Sequence, residues 1–316
     1  MHIIEQSVEL YPHNIHPYNM IEKVARVCYK SEDKIKEGSA EKMVGGLYRS
    51  HHWAMFEHEY LYFEVLEKHW RKVVERDYEH LKYINQAYTN DGNVILSASI
   101  RAWLELFNHI HTRLSVLIDN AIMRLAYREY PLLFDEPLYT AGYGLDDAWM
   151  VGRTYVTQNY DINDEDKTVL VPHTIKFITS RAVAQELTRH RVMGIAMESQ
   201  RYVDYNGDKS DHQITVIKPL IDPEDTLNYE QWHYAMIMAE CQYMQLRKGS
   251  IAPEIARGVL PNDCKTEVVV TATEQEWQHI INLRYHGTTG RPHPQIQQLM
   301  GVAYPILQEE SDGRIK

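Results

Sequence analysis

The stretch EVVVTATEQEWQHII (267–281) predicts a strand that passes directly into a helix. Its first half is rich in β-branched residues, and its second half carries apolar residues at helical spacing. A second stretch, NVILSASIRAWLELF (93–107), aligns with it without gaps and has a tryptophan at the same offset. The ordinary explanation is a recurrent N-capped strand-to-helix turn, whereas the functional one is that both turns present helical N–H groups to anions. The spacing favours the ordinary explanation.

In the rest of the chain, on either side of these two stretches, the predicted strands and helices do not alternate regularly. Further strands are predicted at 59–67, 168–178 and 213–219. Further helices are predicted after residue 67, over about 100–125, over 181–191, from Asp222-Pro223 to about Lys248, from 273 to Arg284 and up to about Gln308. Residues 134–166 are polar and rich in turns, which is typical of a surface excursion. Because a regular βαβ order is absent, the pattern predicts an α+β fold with a mixed or antiparallel sheet flanked by helices.

The composition is that of an acidic globular protein. Among 316 residues, 33 Lys+Arg stand against 44 Asp+Glu, a formal net charge of −11. This balance argues against broad nucleic-acid binding, which needs a basic face. The sequence shows no signal peptide and no apolar run of membrane-spanning length, and Cys28, Cys241 and Cys264 lack C-x-x-C spacing. We therefore expect a cytoplasmic protein with reduced thiols and with neither nucleic acid nor membrane as partner.

The stretch RHRVMGIAMESQRY (189–202) concentrates cations around Ser199. Arg189, His190 and Arg191 end a predicted helix, where cations interact favourably with the helix dipole. That explanation does not account for Ser199 and Arg201 directly afterwards. Guanidinium groups bind phosphate bidentately, and a serine hydroxyl can complete such a site. From the residues alone, a phosphate site and a surface ion-pair network remain equally open.

Two carboxylates flank this stretch. Glu186 lies one helical turn before Arg189, and Glu198 directly precedes Ser199. They form either ordinary intrahelical charge pairs or acceptors for the hydroxyls or base of a nucleotide.

Other candidate residues have a structural explanation when each is taken alone. Arg257 and Arg284 lie near apolar stretches, and buried arginines need anionic partners. The histidines of HHWAMFEHE (51–59) match no zinc-binding spacing, so no metal is predicted.

In combination, Arg-His-Arg, seven residues and Ser199 resemble the R-H-R-x7-S signature of the flavin-dependent thymidylate synthases. Other stretches resemble blocks of that family in the same order: VARVCY (24–29), FEH (56–58), RAVAQELTRHR, QITVIKP, ARGVLP, KTEVVVTA, EWQHIINLR and PHPQI (292–296). The matches cover 20–60 and 175–300, and about 68–170 forms a long insertion. The resemblance implies one domain over 1–316 with the fold of that family.

The resemblance also implies an activity, namely reductive methylation of dUMP to dTMP. Methylenetetrahydrofolate would supply the carbon, and FAD reduced by NADPH would supply the hydride. The family forms homotetramers whose active sites lie at subunit interfaces.

Site residues follow from the matching positions. The resemblance assigns to dUMP the residues Glu186, Arg189, Glu198, Ser199, Gln200, Arg201 and Arg257. It assigns to FAD the residues His52, Arg189, His190, Arg191, Met197, Thr273, Gln275 and His279. Arg284 matches the arginine that polarises the uracil ring, where a cation stabilises developing negative charge. No enzyme nucleophile is implied.

This sequence departs from the family pattern mainly on the flavin side. Gly194 stands where members have serine, Ala196 where they have a polar residue, and Met197 where they have Gln or Glu. Gln275 stands where they have an arginine directed at FAD. Two alternatives follow: a related flavoenzyme that modifies another pyrimidine nucleotide or forms a hydroxymethyl product, and a non-catalytic nucleotide-binding relative that has lost flavin.

Overall fold

The computed structural model describes residues 1–77, 81–110, 117–134, 148–158, 162–207, 210–222 and 224–316. Ten strands lie in these ranges: β1 (His2–Ile4), β2 (Ser7–Tyr11), β3 (Tyr60–Leu66), β4 (Asn85–Tyr88), β5 (Asn93–Ser99), β6 (Ala148–Val151), β7 (Pro172–Ser180), β8 (Gly194–Met197), β9 (Thr215–Ile217) and β10 (Lys265–Thr273).

Twelve α-helices lie in the same ranges: α1 (Pro17–Tyr29), α2 (Ser39–Arg49), α3 (Glu67–Asp77), α4 (Ile100–Ile110), α5 (Leu117–Glu129), α6 (Arg153–Gln158), α7 (Asp164–Leu170), α8 (Arg181–Leu187), α9 (Thr226–Lys248), α10 (Pro253–Ala256), α11 (Glu274–Ile281) and α12 (Pro294–Glu310). A 3-10 helix, Trp53–His58, precedes β3, and a π-helical turn, Asn282–His286, continues α11.

The strands form two four-stranded antiparallel sheets and one parallel pair. The first sheet has the order β2-β7-β10-β8, the second has the order β4-β5-β3-β6, and β1 pairs with β9. Helices pack on these sheets, so the predicted α+β class is confirmed. None of the helices in the described ranges is long and apolar enough to cross a membrane.

Strand β10 organises the half of the molecule that carries the candidate site. Its side chains alternate between two faces, as the period of a strand requires. Val268, Val270 and Ala272 are buried in a core with α8, α11 and α12. Val269 is buried on the opposite face, in a cluster with Met20, Val24 and Val27 of α1. Because both faces are covered, the run of β-branched residues needs no polar alternation.

The internal repeat consists of two capped strand-to-helix turns. Ser99 Oγ accepts a hydrogen bond from the Ala102 N–H at 3.2 Å, and Thr273 Oγ1 accepts one from Glu276 N–H at 3.5 Å. Each hydroxyl satisfies a donor of the first helical turn, which is the usual function of an N-cap. The structure therefore supports the ordinary explanation of the repeat.

Several boundaries differ from the predictions. Residues 168–170 belong to α7 and not to a strand, because Asn163 caps a helix that ends at Leu170. The long helix α9 begins after its N-cap Asp225, and Pro223 lies outside the described residues. Residues 135–147 and 159–161 of the predicted surface excursion also lie outside them, whereas 148–158 form β6, which pairs with β3, and α6, so the predicted excursion is wrong there. Helix α8 begins at Arg181, as predicted, but ends at Leu187, so the predicted extension to residue 191 is wrong.

Candidate active site

The predicted site residues fall into two clusters. The first, here called the Arg284 cluster, contains Glu186, His190, His279 and Arg284. Arg284 donates from Nη1 to Glu186 Oε2 at 2.8 Å, from Nη2 to the Glu186 carbonyl at 3.2 Å and from Nε to His190 Nε2 at 3.2 Å. The His190 and His279 rings meet edge to face with centroids 5.9 Å apart. The arginine is thus held in place from three directions.

Local backbone structure brings these residues together. Because α8 ends at Leu187, Arg189 and His190 lie in the turn beyond it and not in its last helical turn. Glu186 pairs with Arg284, 98 positions away, instead of with Arg189. The helix-dipole and intrahelical-pair explanations of these charges are therefore wrong. Arg284 itself lies in the π-helical turn.

His190 is neutral at physiological pH. Burial, together with the nearby charges of Arg284 and His279, lowers the pKa of His190 to about 4. A neutral ring leaves one nitrogen free to accept, and Nε2 accepts from Arg284. His190 therefore adds no positive charge beside Arg284.

Four other flavin-side residues lie on the segments that carry His190 and His279. His279 and Gln275 are exposed and lie one turn apart on α11, while Thr273 caps that helix. Arg189 and Arg191 are also exposed, and within the described part of the chain neither has an ion-pair partner. Two unpaired guanidinium groups beside an imidazole fit the phosphates of a dinucleotide cofactor. These residues therefore fit FAD, although Gln275 contributes no charge.

The second cluster, here called the Arg201 cluster, contains Ser199, Arg201, Glu254 and Arg257. Ser199 Oγ accepts from the Arg201 N–H at 3.3 Å. Glu254 Oε2 lies 3.7 Å from Arg201 Nε, and the Glu254 carbonyl accepts from Arg257 Nε at 3.2 Å. The Arg201 and Glu254 side chains are 56% and 52% exposed. This cluster gathers two arginines and a serine at the surface, a combination suited to phosphate.

His52 lies beside the Arg201 cluster. Its Nδ1 is 3.5 Å from the Tyr29 hydroxyl, and the Tyr29 ring lies 5.2 Å from the Tyr202 ring. The Ser199 N–H donates to the carbonyl of Cys28 at 3.0 Å. The C-terminal end of α1 therefore supports both His52 and the signature segment.

Glu198 and Gln200 have their side chains in the interior. Glu198 is 2% exposed and accepts from Lys265 Nζ at 2.8 Å. Gln200 Nε2 lies 3.7 Å from the Cys264 sulfur. Buried and partly exposed residues alternate along this segment, and Ser199 is more exposed than Glu198 and Gln200 on either side of it. Within the subunit, Glu198 and Gln200 thus hold the segment that presents Ser199.

The departures from the family pattern have a packing explanation at two positions. A Cβ on Gly194 would lie 2.9 Å from both Cβ and the carbonyl oxygen of Glu57, so serine would clash there. Ala196 is 1% exposed, within the apolar cluster that contains α1. Met197 pairs with Val268 on the other face of the sheet, the face of α8 and α11. Of these three positions, only Met197 therefore lies on the side of the candidate site.

Sequence reasoning missed three partners. Glu254 joins the two arginines of the Arg201 cluster, and Lys265 neutralises Glu198. Glu276, with His190 and His279, forms a group whose potential metal-ligand atoms lie within 4.8 Å of one another. The Glu-x-x-His spacing of 276–279 was a detectable signal, but His190 comes from a distant segment. Arg284 already occupies one His190 nitrogen, so a cation there would compete with it.

Comparison with known proteins identifies the sequence relatives of this chain. The family model described as "Thymidylate synthase complementing protein" matches residues 164–311. A flavin-dependent thymidylate synthase of Pyrococcus abyssi is 32% identical over 105 residues, which cover 33% of this chain and 42% of that protein. One of Corynebacterium diphtheriae is 30% identical over 147 residues, which cover 42% of this chain and 55% of that protein. The chain thus spans less than half the length of the first of these relatives.

A solved structure also aligns with the whole chain. It is described as the UMP/dUMP methylase PolB from Streptomyces cacaoi bound with 5-Br dUMP. The alignment covers 100% of this chain and 99% of that one, with a TM-score of 0.42 and 16% identity. The family model and the named relatives confirm the resemblance to the flavin-dependent thymidylate synthase family, at the modest identity of a divergent member.

Proposed function

We propose that this chain, a divergent relative of the flavin-dependent thymidylate synthases, catalyses the reductive methylation of dUMP to dTMP. Methylenetetrahydrofolate supplies the carbon, and NADPH supplies the reducing equivalents through FAD. The observation that carries the proposal is the Arg284 cluster, in which a guanidinium is fixed by Glu186 and a neutral His190. This group can polarise a pyrimidine ring without an enzyme nucleophile.

Arg284 is the proposed catalytic residue. A guanidinium has five N–H donors, and the three hydrogen bonds within the subunit leave two for a substrate carbonyl. Negative charge develops on the uracil ring as N3 ionises and C5 becomes nucleophilic. A pre-positioned cation stabilises that charge without reorganising during the reaction. Since His190 is neutral, it accepts from Arg284 and does not compete with it as a second cation.

The Arg201 cluster binds the nucleotide phosphate in this proposal. Arg201, Arg257 and the Ser199 hydroxyl provide charged and neutral donors at an exposed surface. The hydrogen bonds and ion pairs of the described residues connect neither of its arginines to Arg284. As the family resemblance implies, we assign the complete site to a subunit interface of a homotetramer, with one cluster from each of two subunits.

Flavin lies against the Arg284 cluster. Arg189 and Arg191 would hold its phosphates, and His52, His190, Met197, Thr273, Gln275 and His279 would surround its other parts. When bound, the flavin supplies hydride chemistry that amino-acid side chains lack. The chain's own residues bind the nucleotide, position it against Arg284 and exclude water from it.

Met197 favours one alternative, in which the enzyme modifies another pyrimidine nucleotide or forms a hydroxymethyl product. A thioether on the sheet face that carries α8 and α11 replaces a group that hydrogen-bonds flavin and nucleotide in the family, which changes how the base is held. The third possibility, a relative without flavin, is tested first by the visible spectrum. A colourless protein that cannot be reconstituted with FAD would exclude both enzymatic proposals.

Tritium release tests the reaction directly. We expect the FAD-loaded protein to release tritium from [5-³H]dUMP when methylenetetrahydrofolate and NADPH are present. Parallel assays with UMP and dCMP, with product identification by mass spectrometry, separate the two enzymatic proposals. Flavin binding without tritium release from dUMP would contradict the thymidylate synthase assignment.

A further inference from the structure

A cavity of about 760 Å³ lies between α1 and α2, outside both clusters. Met43, Gly46 and Leu47 of α2 contribute an apolar wall, and Tyr29 contributes an aromatic ring. The volume falls within the range of sites for small organic ligands, roughly 300–1,000 Å³. The cavity is thus large enough for part of a cofactor-sized molecule.

The rim of this cavity is cationic although the protein is acidic. Arg26, Lys34, Lys36 and Lys42 line it, against the two carboxylates of Asp33 and Glu37. Among the described residues, the three lysines have no carboxylate partner within ion-pair distance. Arg26 differs, because it pairs with Glu22 at 2.7 Å. Three unpaired ammonium groups around one cavity attract a ligand that carries several negative charges.

The wall beneath the lysines is held in one conformation by a buried network. Glu22 Oε1 accepts from Arg26 Nη2, while Glu22 Oε2 accepts from the Ser39 hydroxyl at 2.8 Å. Ser39 Oγ in turn accepts from the Lys36 N–H at 2.9 Å. The segment that carries Lys34 and Lys36 is therefore tied to α1 and α2 before any ligand binds, which lowers the entropic cost of binding.

The cavity adjoins the candidate active site. His52 lies on its wall, and so does Tyr29, whose ring contacts Tyr202 of the signature segment. A ligand whose reacting ring lies beside His52 can therefore extend a tail along α2 toward the lysines. The tail must be anionic to match the rim and partly apolar to match Met43 and Leu47.

We propose that this cavity binds the polyanionic tail of the second substrate, with the reacting end of that molecule beside His52. The inference rests on the proposed function for the presence of such a substrate. A planar ring joined to several carboxylates, as in a folate with a polyglutamate tail, has the required chemistry. The phosphorylated ribose of NADPH has the same anionic character, and the experiment distinguishes the two.

The test compares charge-reversal variants in binding and turnover. We expect K36E/K42E to weaken binding of tetrahydrofolate triglutamate about tenfold or more, as loss of charged contacts predicts. Binding of the monoglutamate should change less, and the KM for dUMP and the flavin spectrum should stay the same. The matched control is K72E on α3, an exposed lysine outside the cavity, which should bind both folates like the wild type. A neutral pair, K34Q/K42Q, guards against misfolding caused by charge reversal.

The remaining outcomes distinguish a folate tail from the phosphorylated ribose of NADPH, and they separate a failure of this inference from a failure of the proposed reaction. If the variants weaken NADPH but not NADH, and leave the folates unchanged, the tail is the phosphorylated ribose. If neither the folates nor NADPH is affected, the cavity is not a polyanion site and the inference is overturned. Because binding is measured by titration without turnover, a charge-dependent preference for triglutamate in a protein that releases no tritium from dUMP would support the cavity while rejecting the proposed reaction.

Discussion

The Arg284 cluster and the Arg201 cluster each place an arginine beside a glutamate, yet the structure holds the two arginines very differently. Arg284 is bound by a carboxylate, a carbonyl and an imidazole, and it is largely buried. Arg201 and its partner Glu254 are both more than half exposed, with 3.7 Å between their charged atoms. A guanidinium fixed in advance can stabilise a transition state, whereas a mobile one chiefly contributes binding. The comparison therefore supports the proposal that Arg284 acts in the chemistry and that the Arg201 cluster binds the substrate.

The largest expected effect is that of Arg284→Ala. We expect kcat for dTMP formation to fall about a thousandfold, the upper range for removing one preorganised donor. Flavin absorbance and the melting temperature should change little. Arg291→Ala, an exposed arginine in the loop before α12, is the control and should retain full activity. An Arg284→Ala protein with near-normal turnover would remove this residue from the mechanism.

The second effect concerns the support beneath the Arg201 cluster. Lys265→Met leaves the buried Glu198 carboxylate without its main partner, which should cost about 3 kcal/mol in the free energy of unfolding. Lys218→Met removes an exposed pair with Glu5 and should cost far less than Lys265→Met does. Urea denaturation measures both. Equal losses would mean that Glu198 is solvated and does not anchor the signature segment.

Arg201→Ala should act on binding and leave stability unchanged. We expect the KM for dUMP to rise about ten- to hundredfold with little change in kcat, since a charged hydrogen bond to phosphate is lost. The effect should shrink at high salt because exposed charges are screened. Arg128→Ala on α5 serves as control. A loss confined to kcat would contradict the division of labour between the clusters.

The smallest effect is the response of the Arg284 cluster to pH. The pKa of His190 is lowered from 6.5 to about 4 in the folded protein, so the unfolded chain takes up a proton first. The stability contribution of neutral His190 is therefore complete above pH 6.5 and is lost as pH falls through 4. The slope is at most about 1.4 kcal/mol per pH unit, the limit for one proton. His190→Gln should flatten the melting temperature between pH 6.5 and 4 relative to wild type, and an unchanged slope would show that other groups cause it.

The fold class and five of the ten described strands were predictable because periodicity records burial. Strand β3 was predicted to within a residue at each end, and β5 and β10 form the strand parts of the two aligned stretches, as predicted. The error at 168–170 arose because apolar residues in a short helix look like a strand when the preceding Asn163 cap is overlooked. Local sequence patterns thus identified strands and helices but did not locate the boundary between α7 and β7.

The site was predictable only in part, because its contacts join distant segments. The signature spacing pointed to Arg189–Arg201, but it could not show that Glu186 pairs with Arg284 across 98 positions. Nor could it separate Ser199 from its neighbours Glu198 and Gln200, whose buried side chains lie against Lys265 and Cys264. The apparent loss of polar groups at Gly194 and Ala196 likewise needed the packing of α1 and Glu57 for its explanation.

The π-helical turn at Asn282–His286 constrains how this chain tolerates changes in length. Such a turn contains one residue more than α-helical spacing allows and is frequent at functional sites. Deleting one residue between Ile281 and Arg284 would let an ordinary α-helix continue, which would move Arg284 back by one position within the turn and change the direction of its side chain. The guanidinium would then leave Glu186 and His190 while the helix stayed intact. In this segment a single-codon deletion should therefore be far more damaging than most substitutions.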